Sequence, residues 1–297
     1  MKVQKYYYFS LVSLLSWSRI LIFPPRRAAT TTSTSDTIVK SPNCDATCGN
    51  VKVPYHFGID DRNCKDEDFL LSCIRSSPDS PPKLTIGNRI EVHNIHVENA
   101  TMSVFIYNAY DCYDKQGHMV DRLDQDVTLG TNGPFTFSDA HNKLVIFGCD
   151  TMVFVSDAEE QRFGSGCISL CSENVDMAKE SSCSGFGCSQ TSVPKHLKTL
   201  EITLFSATKS NHTDVWEFNP CGFAFLVDQR SFDVSKMRLD YKPSQAEMIS
   251  SSVLLDWAVG NETCDEALEN TSSYVCGHNT DCYYSINGRG YQCRCSK

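Results

Sequence analysis

The chain has 297 residues, 41% of them hydrophobic, with 27 basic and 36 acidic side chains and a formal charge of -9. The acid excess excludes nucleic acid and anionic lipid as default partners, because a net-negative surface attracts neither without a local basic patch. The apolar share suffices for packed cores and excludes a disordered stalk, while 16 cysteines exclude a reducing compartment and read as a disulfide framework.

At the N-terminus Lys2 and Lys5 precede a largely apolar run from Tyr6 to Trp17, which resembles a signal peptide over residues 1–29. Those residues hold five bases and no acid, so their removal leaves a formal charge of -14. Residues 30–43, rich in Thr and Ser, read as a flexible leader. Cys44/Cys48 and Cys167/Cys171 have metal-like spacing, but no HExxH or zinc-finger cluster accompanies them, so no metal is expected.

Strand signals then dominate. Arg89–Val97 carries two short apolar alternations, and Thr101–Tyr107 alternates Met102, Val104 and Ile106. Lys143–Val155 reads as two β-rich runs joined at Gly148-Cys149-Asp150, and Cys221–Asp228 as another strand; Ser244–Gly260 is the best candidate for a short helix. The fold class predicted is mainly β, in small disulfide-rich β domains, with units at 44–149, 150–256 and 257–297. The last is too short to fold on a core alone and needs cross-links. Four glycosylation sequons, at Asn99, Asn211, Asn261 and Asn270, fit an extracellular route.

CGNVKVPYHFGI (Cys48 to Ile59), followed by Cys64 and by FLLSC ending at Cys73, resembles the opening of the galacturonan-binding domain of plant wall-associated receptor kinases. YDCY from Tyr110, IFGCD from Ile146, CSGFGCSQ from Cys183, WEFNPCGFAFLVD from Trp216 and LDWAVGNETC from Leu255 look like that family's associated C-terminal domain, in the same order. Cys264, Cys276, Cys282, Cys293 and Cys295, with GRGYQCRC from Gly288, look like an epidermal-growth-factor-like module one cysteine short. The resemblance implies Cys264 with Cys282, Cys276 with Cys293, and no mate for Cys295. His56 stands where the family usually has proline, and Cys188-Ser189 replaces a double cysteine, so one of the other eleven cysteines should also lack its mate, leaving two unpaired thiols or one non-native bond between them. Residues Gly260–Thr263 and Tyr283-Tyr284 lack the acids of a calcium-binding module.

The resemblance implies a non-enzymatic ectodomain, secreted to the cell wall or outer membrane face with no membrane span in the mature chain, that binds pectin or oligogalacturonides. The family's kinase domain would lie beyond Lys297. A second reading, from another class, is a module that binds an extracellular peptide or co-receptor. A polyuronate needs cations or N–H donors for carboxylates and flat rings for sugar faces. Near the signature, Lys52, Arg62, Lys65, Lys83 and Arg89 supply charge and Tyr55 and His56 supply rings, whereas Phe57 and Ile59 read as core. Acids outnumber bases between Cys44 and Phe105, so binding requires a local basic patch, or calcium as a bridge to pectin, with no other cofactor. His56, His93 and His96 would strengthen such binding in an acidic wall. No catalytic frame such as GxSxG or a kinase loop is present.

Overall fold

The computed structural model describes residues 47–295 apart from 55, 60–66, 88, 131–132, 157–163, 175, 180–181, 209–211, 247–249, 271–273, 277–279 and 286–289. In chain order the first strands are β1 (Thr47–Cys48), β2 (Val51–Lys52), β3 (Gly58–Ile59), β4 (Leu70–Ile74), β5 (Lys83–Ile86), β6 (Ile90–His96) and β7 (Thr101–Tyr107). Next come β8 (Ala109–Tyr113), β9 (Met119–Leu123), β10 (Gln125–Thr128), β11 (Phe135–Phe137), β12 (Asn142–Phe147), β13 (Thr151–Ser156) and β14 (Gly164–Ser169). The rest are β15 (Cys188–Ser192), β16 (Thr199–Ser206), β17 (Cys221–Asp228), α1 (Pro243–Ala246), β18 (Ser250–Trp257), α2 (Cys264–Glu269), β19 (Thr280–Tyr284) and β20 (Tyr291–Cys295).

Three sheets carry the architecture. One has seven strands, ordered β11-β18-β7-β6-β5-β4-β3; one has five, β15-β12-β17-β8-β9; one has four, β10-β16-β13-β14. Strands far apart in sequence are neighbours: β18 pairs with β7, β17 with β8, and β16 with β10. The stretches 44–149 and 150–256 therefore share all three sheets, within one compact unit that spans Ile38–Lys297.

Periodicity explains which faces are buried. In β13 the sequence TMVFVS buries Val153 and Val155 and exposes Met152 and Phe154, a two-residue alternation with one dry face. By contrast β17, CGFAFLVD, is buried at all eight positions. Ala224 and Leu226 join the main core, while Phe223, Phe225 and Val227 join a second one. The five-stranded sheet is thus a middle layer with apolar matter on both sides, which is why its strands read as unbroken apolar runs.

The stretch expected to be helical, Ser244–Gly260, is a helical turn at Pro243–Ala246 followed by strand β18. Val253 and Leu255 are fully buried in that strand. Pairing with β7 on one side and β11 on the other satisfies its backbone, and this tertiary gain outweighs any local helix preference. Asn142 of β12 clips the same strand from the middle layer: its Nδ2 donates to the Leu254 carbonyl (2.6 Å) and its Oδ1 accepts from the Leu254 N–H (2.9 Å).

A buried polar network sits where β12 turns into β13. Asp150, at a positive φ of 56°, accepts from Ser206 Oγ (2.5 Å), from the Thr208 N–H and Oγ1 (both 2.8 Å) and from His212 Nδ1 (3.2 Å). His212 Nε2 donates to the Asn219 carbonyl at 2.7 Å. The imidazole is thus held between a carboxylate on one side and a backbone carbonyl on the other. Tyr113 stacks on His212 with ring centres 4.2 Å apart, and its hydroxyl donates to the buried Asp111 at 2.6 Å. Asn219 spans the junction, accepting from the Cys149 N–H and donating to the carbonyls of Cys221 and Leu239.

Six disulfides join the described residues: Cys48–Cys73, Cys112–Cys221, Cys149–Cys171, Cys183–Cys188, Cys264–Cys282 and Cys276–Cys293. Cys112–Cys221 spans 109 residues, a loop whose closure constrains the unfolded chain by about 4–5 kcal/mol. Cys44 and Cys64, and the side chain of Cys295, lie outside what is described. Cys167 is a half-buried free thiol, pushed above its ordinary pKa by burial against a hydrogen bond with Ser189. The departure at Cys188-Ser189 therefore faces this thiol directly. Ser189→Cys is expected to close a disulfide between Cys167 and the introduced thiol; non-reducing peptide mapping should show one fewer free thiol than in the parent and a gain of about 2–4 kcal/mol. A variant in which Cys167 and the introduced thiol both stay free would contradict the pairing.

Burial alone would raise the Asp150 carboxyl, but the hydrogen bonds from His212, Ser206 and Thr208 hold it below its ordinary value. A carboxylate depressed by folding contributes its stability above the unfolded value and loses it as pH falls through the lower folded value. Asp150→Asn keeps a side chain that tolerates positive φ yet leaves His212 without its anion. We expect a loss of about 3 kcal/mol at neutral pH and a shallower acid limb in urea unfolding; an unchanged acid limb would contradict the assignment.

Candidate functional site

The signature segment folds inward. Val53, Phe57 and Ile59 are buried, Cys48 is bonded to Cys73, and the Phe57 N–H closes a turn on the Pro54 carbonyl. Phe57 meets Phe69 and Trp257 edge to face at 5.2 and 5.3 Å, and stacks near Phe135 at 6.3 Å. His56 lies beside the same cluster, 6.3 Å from Phe69 and 6.2 Å from Trp257. These rings serve packing, each edge-to-face pair adding about 0.5–1.5 kcal/mol beyond area burial.

His56 has φ 82°, a value that the pyrrolidine ring forbids. At this position the chain turns through the left-handed region, as the third residue of a type II turn does. His56→Gly should change stability by less than about 1 kcal/mol, whereas His56→Pro should cost about 3 kcal/mol or more in denaturant melts. Equal tolerance of both would show that the turn relaxes.

Of the other sequence candidates, Tyr55, Arg62 and Lys65 lie outside the described residues. Lys52 is exposed on β2, and Arg89 is exposed in the turn between β5 and β6; neither forms an ion pair among the described residues. Asn99, Asn261 and Asn270 are all exposed, and Asn211 is not described.

The chemistry gathers on the outer face of the seven-stranded sheet. Register places Thr85, Glu91, Phe105 and Ser252 side by side across β5, β6, β7 and β18. Lys83 Nζ is 2.7 Å from Glu91 Oε2, and His93 Nε2 is 3.7 Å from Glu91 Oε1. The His93 ring stands 3.8 Å from Phe105, tilted by 70°. Tyr107, two residues on along β7 and on the same face, is 63% exposed, and Phe105 is 37% exposed. The hydrogen bond to Glu91 and its charge lift Lys83 above its ordinary pKa.

This face offers two ring surfaces beside a cation. Lys83 and Glu91 form an ion pair, and His93 approaches the other oxygen of the same carboxylate. Attention to the signature passes over Phe105 and Tyr107, although the alternation that sends Met102, Val104 and Ile106 inward sends Ser103, Phe105 and Tyr107 outward. Among the described residues no cluster could hold a metal ion, and no helix is long and apolar enough to cross a membrane.

Residues 44–106 match the family model for wall-associated receptor kinase galacturonan-binding. The chain is 32% identical to wall-associated receptor kinase 2 of Arabidopsis thaliana over 99% of its own length, and 31% identical to wall-associated receptor kinase 3 over 86%. The chain belongs to the wall-associated receptor kinase family. It corresponds to the family's ectodomain, spanning 36% and 34% of those two relatives. A further relative, wall-associated receptor kinase 1 of the same plant, is 30% identical over 86% of the chain. No solved structure matches. In this family member the matched segment builds β1 to β7 up to Ile106, and β18 completes the sheet.

Proposed function

We propose that this ectodomain binds de-esterified pectin on the outer face of its seven-stranded sheet. The observation that carries the reading is the exposed pair Phe105 and Tyr107 beside Lys83, built largely by the segment matched to galacturonan binding. Ring faces suit the apolar faces of pyranoses, and Lys83, His93 and Arg89 provide charge for uronate carboxylates. Lys52, Tyr55, His56, Arg62 and Lys65 remain candidates by sequence, and calcium enters only as a bridge to pectin. The proposed setting is the cell wall or the outer face of the plasma membrane, with glycans at Asn99, Asn211, Asn261 and Asn270.

Calorimetry with oligogalacturonides tests this reading. Tyr107→Ala should weaken binding about tenfold, equivalent to about 1.4 kcal/mol. Lys83→Gln should flatten the salt dependence. Unchanged affinity in Tyr107→Ala and Lys83→Gln, both at exposed positions, would place the ligand elsewhere.

A further inference from the structure

The outer face of the four-stranded sheet carries a second, differently built surface. Met152 of β13 lies directly between Ile168 of β14 and Phe205 of β16, and Phe154 follows two residues along on the same side. These four side chains are 40%, 45%, 42% and 53% exposed, in that order, while Val153, Val155, Ile202 and Leu204 fill the opposite, dry face. Four large apolar groups contiguous across three strands are more than the scattered exposure that soluble surfaces normally show.

Glycines keep the surface low. A Cβ at Gly164 would lie 3.3 Å from Cζ of Phe154, so the ring rests against the bare backbone of β14. At one margin the Arg122 guanidinium lies 5.6 Å from the centre of the Phe205 ring, its fork already held by Asp124 at 2.8 and 3.0 Å. Along the strands in the other direction, Asp126 of β10 stands directly opposite Glu201 of β16. Glu201 accepts from Ser156 Oγ at 3.2 Å, and neither acid has a basic partner among the described residues. Like charges directly opposed across a ladder destabilise a sheet unless a cation joins them.

We propose that this face docks a polypeptide segment of another protein, one that presents apolar side chains followed by lysine or arginine. The apolar row matches the first part, and the opposed carboxylates of Asp126 and Glu201 match the second. A polyuronate is disfavoured by the same acids, which separates this surface from the proposed pectin face on the seven-stranded sheet.

The test titrates the intact ectodomain with a short synthetic peptide of alternating Leu and Thr ending in Lys-Arg, and with a twin ending in Asp-Glu. The basic peptide should bind at least about tenfold more tightly than its twin. Phe154→Ser with Phe205→Ser should abolish that binding, and Asp126→Lys with Glu201→Lys should reverse the preference, while oligogalacturonide binding stays unchanged in both. The charge variants sit at exposed positions and keep the test open if the serine variants misfold. Equal binding of the twins would overturn the proposal, as would loss of oligogalacturonide binding in the variants. Self-association that the serine variants abolish would assign the face to a second copy instead.

Discussion

The contact on which the rest of the structure depends is the aromatic cluster of Phe57, Phe69, Phe135 and Trp257. Phe57 comes from the signature segment and Trp257 from the end of β18, so the cluster closes the chain on itself across most of its length. Trp257 and Phe69 are 1% exposed and Phe57 is 3% exposed, which makes these rings a dry anchor. With Trp257 seated there, β18 lies against β7 and fixes the sheet whose outer side presents Phe105 and Tyr107. Packing inside and the proposed recognition outside are therefore two faces of the same strands.

Around that anchor the five-stranded layer acts as a spine. It touches apolar matter on both sides, is stitched to the seven-stranded sheet through Asn142 and Leu254, and meets the four-stranded sheet at the Asp150–His212 pair. A buried polar contact of this kind is seldom a large net source of stability, because desolvation offsets most of the attraction. Its value here is positional. Asp150, His212 and Asn219 accept and donate in fixed directions and hold the β12–β13 turn beside the start of β17, while Cys149–Cys171 ties the turn to the segment after β14 and Cys112–Cys221 ties β17 to β8.

Local pattern makes several strands legible. The alternations of β6 and β7, the two runs of β12 and β13 and the apolar β17 all follow from side-chain period. Ser250–Trp257 reads locally as helix because its β7 partner lies far back in the chain, as does β11, and neither leaves a trace in the nearby sequence. The free thiol is legible as a count but not as Cys167, which becomes identifiable once β14 and β15 bring it to Ser189. In the site, the motif that signals the family is mostly core, whereas the exposed rings sit on β7, on the side opposite its alternating Met102, Val104 and Ile106.

The ectodomain is acidic overall yet presents two unlike faces, one with rings beside Lys83 and one with an apolar row beside Asp126 and Glu201. Both depend on strands from the two halves of the chain lying in common sheets. The most direct test is to express residues 44–149 alone, oxidised, and follow unfolding by near-ultraviolet circular dichroism. Without β16, β17 and β18 the fragment should show no cooperative transition and no fixed aromatic signal. A cooperatively folded fragment would contradict the account that sheet sharing between the halves builds the face proposed for recognition.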